Sequence, residues 1–218
     1  QSVIAMLRHQ AVCMRRWAHL PWTVQTGSPQ EVEPSLQGEE ADQDAFIGAM
    51  HVVSRDVART LIPEINPGGF RCLLDLGGAS GSWTLAWLEN EPPARAILFD
   101  LPHVIPLARR RLSESGVAHR VDFAGGDFCE DPLPHGADLV WVSAIIHQNS
   151  PFQNRALYAR IAECIEPGGW VYIRDIVLDS TRTAPVAGAL FAVNMLTATK
   201  GGNSYSLDEI ESDLRSAG

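Results

Sequence analysis

The chain has 218 residues, 45% of them hydrophobic and 20% charged, and carries a formal net charge of −9. Such a chain can bury a proper core, and its length favours one main domain with an appendage. The acidic balance argues against a nucleic-acid surface, no apolar run reaches the roughly 18 residues of a membrane span, and QSVIAMLRHQAVCMRRW lacks the order of a secretory signal, so the cytoplasm is the expected compartment.

Residues 1 to about 25 have an amphipathic helical pattern through Met6, Val12, Cys13, Trp17, Leu20 and Trp22. That is more apolar surface than an isolated helix can hide. TGSPQEVEPSLQGEEADQD follows, rich in Gly, Pro, Ser and acids, and reads as a loop or linker. AFIGAMHVVSRDVARTLIPEI then shows helical spacing through Phe46, Met50, Val53, Val57 and Leu61.

From Arg71 onward, short apolar runs alternate with helical patterns: RCLLDL and a helix through Trp87, RAILFD and a helix ending at Gly116, VDFAG, ADLVWVSA and a helix from Pro151, then WVYIRDIVL. This alternation predicts an α/β fold, a parallel sheet with helices on both faces. Ser150 before Pro151 marks a helix start and Pro167-Gly168-Gly169 a stop. Ser206 to Glu209 has capping-box spacing and opens a last helix ending at Ala217 and Gly218. The run Arg109 to Arg111 reads as a solvated helix face. Cys13, Cys72, Cys129 and Cys164 form no CxxC pair, which predicts buried free thiols and neither a zinc site nor a disulfide framework.

The stretch LLDLGGASGSW joins the first strand to the following helix, where backbone N–H groups suit a nucleotide-type cofactor. Gly77, Gly78 and Gly81 do not fit the GxGxxG dinucleotide spacing. Asp100, at the tip of the second strand, is placed to accept both hydroxyls of a ribose. Asp127 and Phe128 follow the third strand, where they can accept from an adenine amino group and cover the ring. Each signal has a plain structural reading as a turn, a cap or a core ring. Three in order at three successive strand ends favour a cofactor.

LDLGGASG, FDLPHV, GDFCEDPLP, IIHQNSPFQN, EPGGWVYIRDIVL and NMLTATKGGNSYSLDEIESDLRSAG, taken together, resemble the S-adenosylmethionine-dependent small-molecule O-methyltransferases of the caffeate, hydroxyindole and polyketide-tailoring type. The resemblance runs from about Trp17 to Gly218. It implies a Rossmann-like doubly wound sheet of the class I methyltransferases over residues 43–218, preceded at 1–42 by the remnant of a helical dimerisation domain. The implied cofactor is S-adenosylmethionine, leaving as S-adenosylhomocysteine. Gly77 would lie against it, Asp100 on its ribose, Asp127 and Phe128 around its adenine, and Ser54 near its carboxylate, with Asp75, Gly78, Gly81, Leu101 and Ser143 completing the site. Met50, Asn194 and Met195 would line the acceptor pocket, and the acceptor would be a hydroxyl of a small aromatic or polyketide-like molecule.

The resemblance also implies that His147 is the general base that takes the hydroxyl proton and that Asp175 orients it, a task suited to a side chain that exchanges protons near neutral pH. Three places depart from the family's pattern: Gln148 and Asn149 stand where His-Asp-Trp is usual, Ser143 replaces a longer polar or basic side chain, and Ser204 replaces a second acid. The implied assembly is a homodimer through the N-terminal helices, with no nucleic-acid or membrane partner, and the resemblance implies further segments at both ends. A cofactor-binding homologue with altered or lost transfer chemistry is the alternative. A nicotinamide-dependent oxidoreductase is disfavoured by the glycine spacing.

Overall fold

The computed structural model describes residues 3–217; the expected helical character of residues 1 and 2 and the helix end at Gly218 lie outside the described residues. The chain forms two compact units, each built from separated stretches. No described helix is long and apolar enough to cross a membrane.

The first unit, Ile47–Ser143 with Arg160–Ile173, holds a five-stranded sheet of β1 (Cys72–Leu76), β2 (Arg95–Asp100), β3 (Val121–Gly125), β4 (Ala137–Ser143) and β5 (Ile165–Arg174) in the order β3-β2-β1-β4-β5. β1 runs parallel to β2 and β4, and β2 parallel to β3. Leu73, Leu74, Leu76, Leu98, Leu139, Val140 and Val142 are fully buried. Consecutive apolar residues in the central strands are what covering on both faces requires. On β4 the Trp141 ring meets Trp83 and Trp87 at centroid distances of 4.9 and 5.6 Å. Both partners come from α4 (Ser82–Asn90). In the β1 to α4 turn, side chains are excluded at Gly78 by packing and disfavoured at Gly81 by packing and backbone conformation. A Cβ on Gly78 would lie 2.6 Å from Leu98 Cγ, and Gly81 caps α4 in left-handed backbone at φ 76°.

The second unit takes the stretch up to Phe46, Ala144–Ala159 and the stretch from Arg174. It carries α1 (Ile4–Ala18), α2 (Leu20–Thr26) and the start of α3 (Glu39–Ile65). Further along come most of α6 (Pro151–Cys164), the pair β6 (Val177–Leu178) and β7 (Tyr205–Ser206), α7 (Val186–Ala198) and α8 (Leu207–Ala217). The capping box is reciprocal: Ser206 N–H donates to Glu209 Oε2 at 2.9 Å and Glu209 N–H to Ser206 Oγ at 3.3 Å. A second one opens α6. There Ser150 N–H donates to Gln153 Oε1 at 2.8 Å and Gln153 N–H to Ser150 Oγ at 3.3 Å.

Several expected boundaries move. The N-terminal helix is two helices, parted at His19 before Pro21. α3 starts at Glu39, inside the expected loop, because Glu39, Glu40 and Asp42 suit the positive end of a helix. α3 buries Ala45, Ile47, Ala49, Ala58 and Ile62, while Phe46, Val53 and Val57 of the expected series stay exposed. α5 (Ile105–Leu112) stops short of Gly116, and α6 ends before the Pro-Gly-Gly stretch, which belongs to β5. WVYIRDIVL divides between β5 and β6. The four cysteines are free thiols, but against the expectation of burial only Cys164 is buried, and Cys13, Cys72 and Cys129 are partly exposed.

Candidate functional site

Because β1, β2 and β3 are parallel neighbours, their carboxyl ends share one edge of the sheet. Asp100 ends β2 there. Its Oδ2 accepts from the Ala79 N–H and its Oδ1 from the Leu101 N–H, both at 2.7 Å. Ala79 makes its bond from left-handed backbone at φ 47°, which costs a residue with a Cβ about 1–2 kcal/mol. Burial pushes the Asp100 carboxyl above its usual range, against the pull of those two N–H groups. One lone pair on each oxygen remains for further donors. The Gly77 N–H is held at 2.8 Å by the Phe99 carbonyl.

After β3 the chain turns on Asp127, whose Oδ1 accepts from the Cys129 N–H at 2.7 Å. Arg160 Nη1 donates to the Phe128 carbonyl at 2.8 Å, so the half-buried Phe128 ring sits on a fixed turn. A carboxylate bonded to a glycine loop can take ribose hydroxyls, and an aromatic ring after the next strand can cover a purine. Asp75 serves the loop from inside. It is buried, and its Oδ2 takes both the Thr84 N–H at 3.0 Å and the Thr84 hydroxyl at 2.5 Å. Met50 and Ser54 are half-buried one turn apart on α3, and Ser143 ends β4.

The second cluster is in the other unit. His147 lies in a 3-10 turn, Ile146–Gln148, with Asp175 just past β5. Their contact is His147 Nδ1 to Asp175 Oδ1 at 2.7 Å, with the side chains 11% and 2% exposed. Asp175 Oδ1 also accepts from the Ile176 N–H at 2.7 Å, which fixes the carboxylate. A carboxylate facing Nδ1 selects the Nδ1–H tautomer and leaves Nε2 as an acceptor. Phe191 packs edge-on against the imidazole, 4.8 Å between centroids. Three residues along α7, Asn194 Oδ1 accepts from the Trp17 indole at 2.9 Å. An indole N–H only donates, so the amide oxygen faces Trp17 and the amide nitrogen faces away.

Two of the three departures, Gln148 with Asn149 and Ser204, now have surroundings. Gln148 Nε2 donates to the Ala144 carbonyl at 3.1 Å, and buried Asn149 donates to Asn154 Oδ1 at 3.1 Å. Ser204 is fully buried, its hydroxyl directed to the Gly188 carbonyl at 3.2 Å. Met195 is buried in the core. Sequence reasoning missed Phe191, Trp17 as the partner of Asn194, and His51, which contacts Ser82 Oγ at 2.9 Å. Only Phe191 had a local signal, its spacing of three from Asn194 on one helix face. Among the described residues no group of His, Cys, Asp and Glu could hold a metal ion.

The O-methyltransferase domain family matches residues 17–218. The chain is 33% identical over 206 residues to the 3-hydroxy-5-methyl-1-naphthoate 3-O-methyltransferase of Streptomyces sahachiroi, covering 93% of this chain and 59% of that protein. To the tetracenomycin polyketide synthesis 8-O-methyl transferase TcmO of Streptomyces glaucescens it is 34% identical, covering 93% of this chain and 60% of that one. Human N-acetylserotonin methyltransferase, solved in complex with SAM, superposes with a TM-score of 0.82 at 27% identity, covering 94% of this chain and 61% of that one. The chain thus spans about three fifths of the length of these relatives.

Proposed function

Because the chain belongs to the O-methyltransferase domain family, we propose that it carries the catalytic part of an S-adenosylmethionine-dependent O-methyltransferase. Its acceptor is a hydroxyl on a small aromatic or polyketide-like molecule, and His147 is the general base. The observation that carries this reading is the contact of His147 Nδ1 with the buried Asp175 carboxylate, which leaves Nε2 to receive a proton. The cofactor supplies a methyl group already activated by its sulfonium. Asp100 accepts from the ribose hydroxyls, the glycine loop lies along the methionyl chain, and Asp127 with Phe128 frames the adenine. Ser54 and Ser143 add polar contacts.

His147 takes the acceptor's hydroxyl proton and Asp175 stabilises the imidazolium, while the bound cofactor would supply the methyl group, its S–C bond breaking as the O–C bond forms and S-adenosylhomocysteine leaving. Phe191 walls the ring, and Asn194, with its amide turned by Trp17, offers N–H donors to the acceptor. His147→Ala is expected to lower the transfer rate by about 10²–10⁴ at unchanged S-adenosylhomocysteine affinity. Asp175→Asn lowers it less. Full turnover by His147→Ala would remove the base from the mechanism.

A second reading, a cofactor-binding homologue without transfer, draws on Ser204, where the expected second acid is absent and the hydroxyl is occupied by Gly188. Tight S-adenosylhomocysteine binding with no methylation across a panel of hydroxynaphthoates and hydroxyanthraquinones would favour it. For the assembly we propose a homodimer, supported by exposed apolar residues on α1 and α2.

A further inference from the structure

The run Arg109 to Arg111, expected as a solvated face, divides three ways. The Arg109 guanidinium lies 4.4 Å from the Phe123 ring centroid, Arg110 is exposed, and Arg111 turns to a cavity of about 70 Å³. His51, Arg55 and Arg59 of α3 line the same cavity, with Ser80 and Ser82 at the start of α4. We propose that this cavity binds a small oxyanion: phosphate, sulfate, or the phosphoryl end of a phosphomonoester, held chiefly by Arg111 and Arg59.

The charges are the first argument. Arg55 is committed to Asp56 through bonds of 2.8 and 3.1 Å, whereas Arg59 makes no ion pair among the described residues. Glu89 is the one carboxylate in the lining, set against three guanidiniums. The positive end of α4 adds to them. The volume is the second. A cavity of about 70 Å³ is well above the roughly 10–15 Å³ that a single water needs on this measure and has room for one tetrahedral anion.

The hydroxyls are the third argument. Ser80 Oγ and Ser82 Oγ are 2.9 Å apart, and His51 Nδ1 lies 2.9 Å from Ser82 Oγ and 3.3 Å from Ser80 Oγ. With His51 neutral and its proton on Nε2, Nδ1 takes one serine proton and the serines share the other, so in that tautomer no hydroxyl proton is left for a ligand. A protonated His51 donates to one serine, that serine donates to the other, and the last hydroxyl is released towards the cavity. The groups acting on His51 are Arg55 and Asp56 on α3, Arg111 on α5 and the hydroxyls of Ser80 and Ser82, with Arg59 and Glu89 lining the same cavity. Burial and the arginines hold its pKa below the usual value, with Asp56 opposing. An anion would cancel the arginine field, so binding is coupled to uptake of a proton.

The cavity is separate from the proposed cofactor site. Gly81 touches both, but Ser54, Gly77, Asp100 and Asp127 do not line it. The test is calorimetric titration of the protein with sulfate, phosphate and glycerol phosphate against chloride at matched ionic strength. Sulfate stays a dianion from pH 6 to 8, so its pH dependence reports the protein. We expect saturable sulfate binding that tightens towards pH 6, weakens about tenfold in Arg111→Gln and in Arg59→Gln, and loses its pH dependence in His51→Gln. Thermal midpoints of the variants without anion show whether each is folded. Glycerol phosphate binding as tightly as phosphate assigns the site to the end of a larger molecule, and its exclusion assigns it to the free ion. No binding beyond chloride, equal binding by both arginine variants, or displacement by S-adenosylhomocysteine would overturn the proposal.

Discussion

Asp75 is buried beneath the glycine loop, and its carboxyl is pushed up to about 7. Burial is the main cause; the Thr84 hydroxyl and N–H pull the other way, and the neighbouring Asp100 adds a smaller push. The folded protein therefore keeps a proton that the unfolded chain gives up near pH 4. The stability from this group is complete below about pH 4, falls by about 1.4 kcal/mol per pH unit as the pH rises towards 7, and changes little above that. Asp75→Asn retains an acceptor for Thr84 and has no proton to lose. Its thermal midpoint is expected to fall less than that of the parent between pH 5 and 7; parallel curves would mean that Asp75 is ionised throughout. At this scale the sequence revealed single residues unevenly. Asp100 and His147 stood out because each follows an apolar strand within a recognisable order of motifs. The bond between Trp17 and Asn194 joins positions 177 apart, and no local pattern announces it.

Elements were legible where one force decides them. The predicted bounds of β2 and β3 match the structure to the residue, because each is a short run between turn residues, largely buried in β2 and only partly so in the edge strand β3. Helix ends were harder. Acids at the start of α3 look like a polar loop and also suit a helix N-terminus, and the structure chooses the helix. Alanine faces mislead in another way: α3 buries Ala45, Ala49 and Ala58 along with Ile47 and Ile62, so the expected series through Phe46, Val53 and Val57 did not mark the buried side. The capping box at Ser206 was readable because it is local chemistry at fixed spacing. Ser206→Ala removes the acceptor of the Glu209 N–H and is expected to lower stability by about 1 kcal/mol in urea titration while leaving S-adenosylhomocysteine affinity unchanged. An unmoved midpoint would mean that water replaces the cap at no cost.

At the scale of the molecule, the alternation of strand and helix fixes the class of fold, whereas the strand order β3-β2-β1-β4-β5 depends on pairings between distant segments. Periodicity alone does not contain those pairings; the order of motifs implied them through resemblance. The same distinction bears on assembly. Trp17, Leu20 and Trp22 were expected to form the sticky face of the N-terminal helices, but Trp17 is half-buried and bonded to Asn194, and Leu20 is half-buried too. Leu7 and Met14, seven residues apart on α1, share a stripe at 64% and 72% exposure, Ile4 flanks it at 55%, and Trp22 on α2 is 55% exposed. Contiguous apolar surface of this kind on a folded chain marks an interface. The acidic net charge opposes self-association only over the screening length of the buffer, about 8 Å at physiological salt, so the apolar contact decides the outcome. Light scattering at tens of micromolar is expected to give twice the chain mass. The double variant Leu7→Glu with Met14→Glu should give the single mass, with an unchanged far-ultraviolet spectrum to show that α1 still folds. A monomeric parent protein would refute the dimer, and a dimeric double variant would move the interface away from α1.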